Sequence, residues 1–495
     1  VEPYSSGLGG GGFWLLHRER DGFEVMVDGR EKAPLAAHRD MYLDDDGNVV
    51  PGLSINGAMA AGIPGVPAAL VHISRRYGRL PLHRSLAPAI RLAREGFRVD
   101  ATYRKMAQFR LAALQDDRAA ASIFLQDDDI PAIGHRIVQH DLADTLIAIA
   151  RSGDGGFYRG ALAQRLVEGV RAAGGIWSMQ DLAEYRIVER EPVRGEYHGL
   201  RISSAAPPSS GGIALVSMLN MLADFPLQTL DDATRTHLVI EAMRRAYRDR
   251  AEFLGDSDFV TVPVERLSSR SHARQAGASI RLQQATPSTT LNGKATATGG
   301  LDTTHFSVLD GAGNRVAATL SINYPFGACV VPPRTGVLLN DEMDDFSVKP
   351  GVPNVYGLVG ADANAIEPGK RPLSSMSPTF VESGEGVAIL GTPGGSRIIT
   401  MVLLGILDLA DGNGPESWVS LPRYHHQYLP DMVQFEPGAF DDDLQQDLLA
   451  RGHELKPLDS DYGNMQAIYW NKKSGEVLPA SDPRGIGDAR AGFFR

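Results

Sequence analysis

The chain has 495 residues, 43% of them apolar and 22% charged, with a formal net charge of −11. This is ordinary for a soluble globular protein, and length alone suggests two to four domains around a sizeable core. The acidic balance argues against a nucleic-acid binder, which would carry a basic patch or stripe; the single Cys329 excludes an intrachain disulfide and reads as a small buried apolar side chain; no apolar run is long enough to span a bilayer.

In chain order, GLGGGG contains a G-x-G-x-x-G match at Gly7, Gly9 and Gly12. A dinucleotide fingerprint needs a helix after the glycines. Here FWLLHRE follows and reads as a strand, so the glycines are read as letting backbone pass close to backbone. FEVMVDGREKAP is a strand ending in a turn, with Arg30 just after it. From GIPGVPAALVHISRRYG to about residue 255 the apolar spacing is mainly helical, interrupted by strands in EPVRGEYHGLRISSA. MRRAYRDRAEFLG alternates bases with acids and reads as a solvated helix face. The aspartate clusters after Leu43, Gln126 and Phe440 lack the spacing of a calcium loop and read as solvated loops.

The second half reads differently. HFSVL and RVAATLSIN are β-rich runs flanking DGAGN, whose Asp-Gly and Gly-Asn steps are hairpin chemistry. Thr303 and Thr304 stand where the first strand begins. Upstream, LNGKATATGGLD reads as a mobile loop. Further strands are expected at GVLLN, TFVESGEGVAIL and QAIYW, and helices at RIITMVLLGILDLA and DDDLQQDLLARG. In RYHHQYLPD, His425 and His426 are adjacent on a strand and point to opposite faces, which argues against joint metal ligation. Strands in runs with helices grouped apart indicate α+β layers.

A hydroxyl residue opening a strand after a loose loop suits self-cleavage. The Thr303 hydroxyl attacks the preceding carbonyl, the bond shifts from nitrogen to oxygen, and hydrolysis frees Thr303 as a new N-terminus. Its α-amine then serves as base for its own hydroxyl. Taken alone, the stretch reads first as a Thr-rich hairpin start, because Thr is a good strand former.

The order and spacing of TTHFSVLDGAGN, NYPFG, LLNDEMDDFS, RPLSSMSP and GTPGGSRIIT closely resemble the γ-glutamyltransferase (γ-glutamyltranspeptidase) family. The resemblance runs from SGLGGGGF to ASDPRGIGDARAG, almost the whole chain. It implies the N-terminal-nucleophile hydrolase αββα sandwich, with residues 1–302 as the large-subunit part and 303–495 as the small-subunit part. The two would be intertwined in one domain and form a heterodimer after cleavage between Asp302 and Thr303. Members carry further sequence before the equivalent of Val1, usually a signal peptide and a helical segment. An N-terminally truncated chain is therefore expected, and the resemblance implies a periplasmic or extracellular location.

The resemblance also implies roles. Thr303 is the expected nucleophile, supported by hydrogen bonding from Thr304. Ser321, where many relatives have Thr, positions the nucleophile and aids autocleavage; it keeps the hydroxyl and loses a methyl, which bears on maturation rate. Backbone N–H groups of Gly394 and Gly395 would form an oxyanion hole. Arg30, Ser374 and Ser375 would hold the α-carboxylate of a glutamyl group, Arg through its bidentate fork. Asn323, Glu342 and Asp345 would hold the α-ammonium, under a lid tyrosine, Tyr356. The implied reaction is γ-glutamyl transfer from glutathione or a similar donor to water, an amino acid or a dipeptide, without metal or organic cofactor. Alternatives are an amidase of the same fold acting on glutaryl-cephalosporins, whose substrate lacks the α-ammonium, and an uncleaved non-catalytic relative.

Overall fold

The computed structural model describes residues 2–291, 303–349, 351–352 and 360–492. Of the loop expected at 291–302 only Leu291 is described, closing the 3-10 turn Ser288–Leu291; residues 292–302 and Tyr356 lie outside the described residues. Two antiparallel sheets form the centre. Strands β1 (Gly11–Arg18), β2 (Phe23–Asp28) and β3 (Val188–Arg190) come from the first half, as do β4 (Val193–Tyr197) and β5 (Leu200–Ser204). From the second half come β6 (Thr304–Leu309), β7 (Arg315–Ser321), β8 (Thr379–Glu382), β9 (Gly386–Gly391), β10 (Gln466–Asn471) and β11 (Val477–Ser481). The orders are β3-β2-β1-β7-β6 and β11-β10-β9-β8-β5-β4. Each sheet therefore takes strands from both sides of residue 302.

Alternation along the strands builds the layers. Phe13, Leu15 and Met26 meet Phe380, Val387 and Ile389 between the sheets. The intervening Trp14, Leu16, Val25 and Val27 turn outward onto α1 (Val66–Arg76). On the far side, Ala388 and Leu390 pack with α2 (Gly211–Leu222), α3 (Asp232–Phe253) and α4 (Ile398–Ala410). The central strands β1, β7 and β9 are buried on both faces and read as nearly continuous apolar runs, whereas outer strands such as β4 and β6 alternate buried with exposed residues. The result is a four-layer helix–sheet–sheet–helix sandwich.

The glycine segment does what its composition suggests. A Cβ on Gly9 would stand 1.9 Å from the Leu338 carbonyl oxygen, and one on Gly10 2.1 Å from that of Ser321. Two local expectations fail. GVLLN is not a strand: Leu339 makes only an isolated parallel bridge to Gly9, because the glycine segment offers it no extended partner. The acids after Phe440 are not a loop: Asp441 caps the helix Asp442–Ala450 by accepting from the Leu444 N–H at 2.8 Å. His425 and His426 are both buried and take separate partners, Thr400 and Gln427 for the first and Asp431 for the second.

The larger correction concerns α3. Its basic stretch is not a solvated face. Glu241, Arg244, Arg245, Asp249 and Arg250 are all buried. Arg244 and Arg245 donate to Glu241 at 3.1 and 2.6 Å. Glu241 also accepts from the Thr286 N–H at 3.1 Å, and Arg244 donates to Ser288 Oγ at 2.7 Å. Asp431 completes the cluster by pairing with Arg244 and accepting from the Ser288 N–H at 2.6 Å. A charge periodicity that suits a wet helix also suits a buried one whose partners come from elsewhere in the chain.

Burial alone would raise the Glu241 carboxyl, but Arg244, Arg245 and Thr286 outweigh it and hold it down to about 2. The folded value lies below the unfolded one, so its stabilisation is present above about pH 4.3 and fades as pH falls toward 2. Glu241→Gln, which leaves the buried Arg245 guanidinium without a carboxylate and Arg244 with Asp431 alone, should cost about 3–5 kcal/mol near pH 7. The gap between parent and variant in urea unfolding should narrow steadily between pH 5 and pH 3. A gap constant over that range would show that the Glu241 charge does not carry it.

Candidate active site

The hairpin β6–β7 places Thr303 one residue before the edge strand and Ser321 at the end of its neighbour. Register carries this further: Gly11 pairs with Ser321, and Thr304 with Leu320. Thr303 is buried, and its Oγ1 donates to Ser321 Oγ at 3.3 Å, long for an O–H···O bond. Ser321 Oγ also accepts from the Asn323 N–H at 2.8 Å. Asn323 has φ of 73° and donates through Nδ2 to the Asp341 carbonyl at 3.0 Å. Thr304 behaves differently from expectation. It follows Thr303 on an extended chain and so turns the other way, where its hydroxyl donates to the Glu2 carboxylate.

Arg30, just beyond β2, is 1% exposed. Its Nη1 donates to Glu342 Oε2 at 2.7 Å and to Glu31 Oε2 at 3.4 Å; its Nη2 donates to Asp345. Nε donates to the Pro372 carbonyl at 3.1 Å. The residues expected to grip opposite ends of an amino acid are therefore in contact with each other. Glu342 and Asp345 reach Arg30 from the short 3-10 turn Glu342–Asp345.

One guanidinium cannot neutralise three carboxylates. Burial and the neighbouring Glu342 push the Glu31 carboxyl well above its usual range, against the pull of Arg30. Glu342 is likewise pushed up, by burial first and by Asp345, with Arg30 opposing. Arg30 itself stays protonated because Glu342, Asp345 and Glu31 outweigh its burial. Such a cluster favours an incoming cation, while its arginine remains a fork for an anion.

Ser374 and Ser375 lie along the segment before α2. Ser374 donates its N–H to the Pro208 carbonyl at 2.8 Å, and its carbonyl accepts from Ser210 N and Oγ at 2.8 and 2.7 Å. Gly394 and Gly395, with φ of 136° and 56°, open the turn that leads into the 13-residue α4. Only glycine adopts such angles without strain, and N–H groups at a helix start are unpaired and favour negative charge.

Arg30, Thr303, Ser321, Asn323, Glu342, Asp345, Ser374, Ser375 and Gly395 line one cleft whose free space is about 20 Å³, room for little more than a water molecule. The ion pairs of Arg30 with Glu342 and Asp345 lie among its walls. Gly394, which immediately precedes Gly395 in the chain, does not itself line the cleft. Sequence reasoning missed Asn340, which stands inside LLNDEM without chemistry of its own. It is buried, donates to the carbonyls of Gly9 and Gly62 at 2.6 and 2.8 Å, and accepts from the N–H groups of Gly62 and Glu342, both at 2.9 Å. It thereby ties the glycine segment to the carboxylate turn.

A sequence profile described as gamma-glutamyltranspeptidase matches residues 1–492. The chain belongs to the γ-glutamyltranspeptidase family. It is 41% identical over 499 aligned residues to the glutathione hydrolase proenzyme of Escherichia coli, covering 100% of this chain and 85% of that protein. Among solved structures, it superposes on a cephalosporin acylase from Bacillus halodurans with a TM-score of 0.86 at 27% identity, covering 100% and 89% of the two chains. The Helicobacter pylori γ-glutamyltranspeptidase matches with a TM-score of 0.56 at 38% identity, over 57% of this chain and 81% of that one. The four-layer sandwich of this transpeptidase-family chain is thus the N-terminal-nucleophile hydrolase fold.

Asn340→Ala would leave the buried Gly9 and Gly62 carbonyls and the Gly62 and Glu342 N–H groups without this partner. At about 1–3 kcal/mol per buried group left unpaired, the loss should reach at least about 3 kcal/mol. Urea unfolding would read it as a lower midpoint, and an unchanged midpoint would show that Asn340 does not tie the two segments.

Proposed function

We propose that this enzyme transfers the γ-glutamyl group of glutathione or a similar donor to water, an amino acid or a dipeptide, with Thr303 as nucleophile. The observation that carries the reading is the shared cleft: the Thr303 hydroxyl lies in one small space with the Arg30 fork and the carboxylates of Glu342 and Asp345. A γ-glutamyl compound presents a carbonyl to the first and an α-carboxylate and α-ammonium to the others.

In this reading the chain first cuts itself between Asp302 and Thr303. The Thr303 hydroxyl adds to the preceding carbonyl, the peptide becomes an ester, and water releases the two fragments. Because both sheets mix strands from either side of the cut, the fragments stay interleaved as a heterodimer. The freed α-amine of Thr303 then takes the proton from its hydroxyl as the hydroxyl attacks the γ-carbonyl. The N–H groups of Gly394 and Gly395 stabilise the oxyanion. The donor's amine leaves with a proton, and water or an acceptor amine resolves the γ-glutamyl ester. Arg30, Ser374 and Ser375 hold the α-carboxylate; Asn323, Glu342 and Asp345 hold the α-ammonium. Ser321 positions the nucleophile. Thr304, whose hydroxyl bonds Glu2, is proposed to fix the start of β6 rather than to act on the Thr303 hydroxyl. Tyr356 is proposed as a lid on resemblance alone.

Autoprocessing has a direct test. Full-length protein should separate into two bands on a denaturing gel without added protease, and Thr303→Ala should remain one inactive band. Maturation of that variant at the same bond would overturn the intramolecular mechanism and, with it, the role of Thr303.

A second reading has a specific observation behind it, the likeness to a cephalosporin acylase. Substrate charge separates the two. Glutaryl-p-nitroanilide is γ-glutamyl-p-nitroanilide without its amino group. A buried carboxylate left without its cation costs about 1–3 kcal/mol or more. The glutaryl compound should then be worse by about 10-fold to more than 100-fold in kcat/KM, at about 1.4 kcal/mol per decade. Asp345→Asn should narrow that gap by harming the glutamyl substrate more. Equal turnover of both substrates by the parent enzyme would favour the acylase reading.

A further inference from the structure

Arg250 lies in the last turn of α3 and is 4% exposed. Arg244 and Arg245, earlier on the same helix, face Glu241. Arg250 makes no ion pair among the described residues. Its hydrogen-bond partners are two serine hydroxyls: Nε donates to Ser210 Oγ at 3.0 Å and Nη2 to Ser375 Oγ at 3.3 Å. A buried guanidinium held only by neutral groups is costly unless an anion comes near it.

Ser375 stands between Arg250 and the cleft, which it lines together with Arg30 and Thr303. A hydroxyl that accepts from a guanidinium has its own proton directed elsewhere. The Ser375 oxygen is occupied from behind, so its O–H is left to donate forward into the cleft. The positive charge behind it favours an anion in front. Ser210, the other partner, donates to the Ser374 carbonyl at 2.7 Å, so Arg250 braces both serines of the pair. One turn earlier on α3, Tyr247 donates to the carbonyl of Ser396, next to Gly395. The same helix face therefore reaches both the serine loop and the glycine turn.

We propose that Arg250 is a positioning residue for the substrate's α-carboxylate: acting through Ser375, it orients that hydroxyl as a donor and makes the site select a free carboxylate over an amide. This rests on the γ-glutamyl reading. It adds a second cation, behind the serines, to the fork that Arg30 supplies.

The test compares γ-glutamyl-p-nitroanilide with its α-carboxamide counterpart on matured enzyme whose active sites have been counted by burst titration. The quantity read is the ratio of the two kcat/KM values, which the amount of folded protein does not move. Arg250→Gln should lower the ratio about 10-fold or more, mainly through KM for the carboxylate substrate. Arg250→Lys should retain part of it. Ser375→Ala should lower the ratio comparably, and the double variant should fall no further than either single one, since one route is removed twice. An unchanged ratio in matured Arg250→Gln, or losses that multiply in the double variant, would overturn the proposal. Should Arg250→Gln fail to mature, Arg250→Lys combined with Ser375→Ala carries the same test, coupled losses supporting the proposal and multiplied losses overturning it. A parent enzyme that does not discriminate between the two substrates overturns the γ-glutamyl reading along with the proposal, whereas discrimination that survives in Arg250→Gln overturns the proposal alone.

Discussion

A guanidinium buried among three carboxylates is the constraint from which the rest of the site follows. Arg30 could not be left alone in the interior, because an unpaired buried charge is strongly destabilising. Its partners come from the adjacent Glu31 and from a turn some three hundred residues later, Glu342 and Asp345. Pairing them pins the end of β2 against that turn, and Asn340 locks the turn to the glycine segment. Crowding pushes two of its carboxyls, Glu31 and Glu342, toward the protonated form. An arriving ammonium group would draw them back to the charged form, in a place that also offers a fork to a carboxylate. A zwitterion entering the site exchanges existing ion pairs for its own, so the energetic reward is the difference between two well-paired states.

Thr303, the proposed nucleophile, is placed by a different device, the ladder register. The pairing of β1 with β7 puts Gly11 opposite Ser321, and the pairing of β6 with β7 starts at Thr304 opposite Leu320. Thr303 therefore meets Ser321 at the sheet margin where the glycine segment crosses. Glycines are required there because carbonyls approach to distances that no side chain would tolerate. The third element is α3, which reaches the serine loop through Arg250 and the glycine turn through Tyr247. Its buried acids and bases also hold Thr286 and Ser288, close to the end of the described segment 2–291.

Much of this was legible before any coordinates. The hairpin was written in its β-rich runs and turn residues, and central strands such as β1 and β9 in apolar runs that both faces bury. The glycine segment was readable as a close backbone crossing because a strand, not a helix, follows it. The motifs around Arg30, Thr303, Glu342, Ser374 and Gly394 carried the family and the residues that share one cleft.

Other features depended on contacts that no local pattern contains. GVLLN has the composition of a strand yet finds no extended neighbour. Thr304 stands beside Thr303 in sequence, but an extended backbone points its hydroxyl away, toward Glu2. The bases and acids of MRRAYRDRAEFLG have the same spacing whether water or protein surrounds them, and only Glu241, Asp431 and the serines make burial tolerable. Sequence by itself determined the elements with a strong period and the motif residues whose chemistry is their own. The tertiary structure decided which charges are buried and what each one faces, because the cost of burying a charge is set by partners hundreds of residues away.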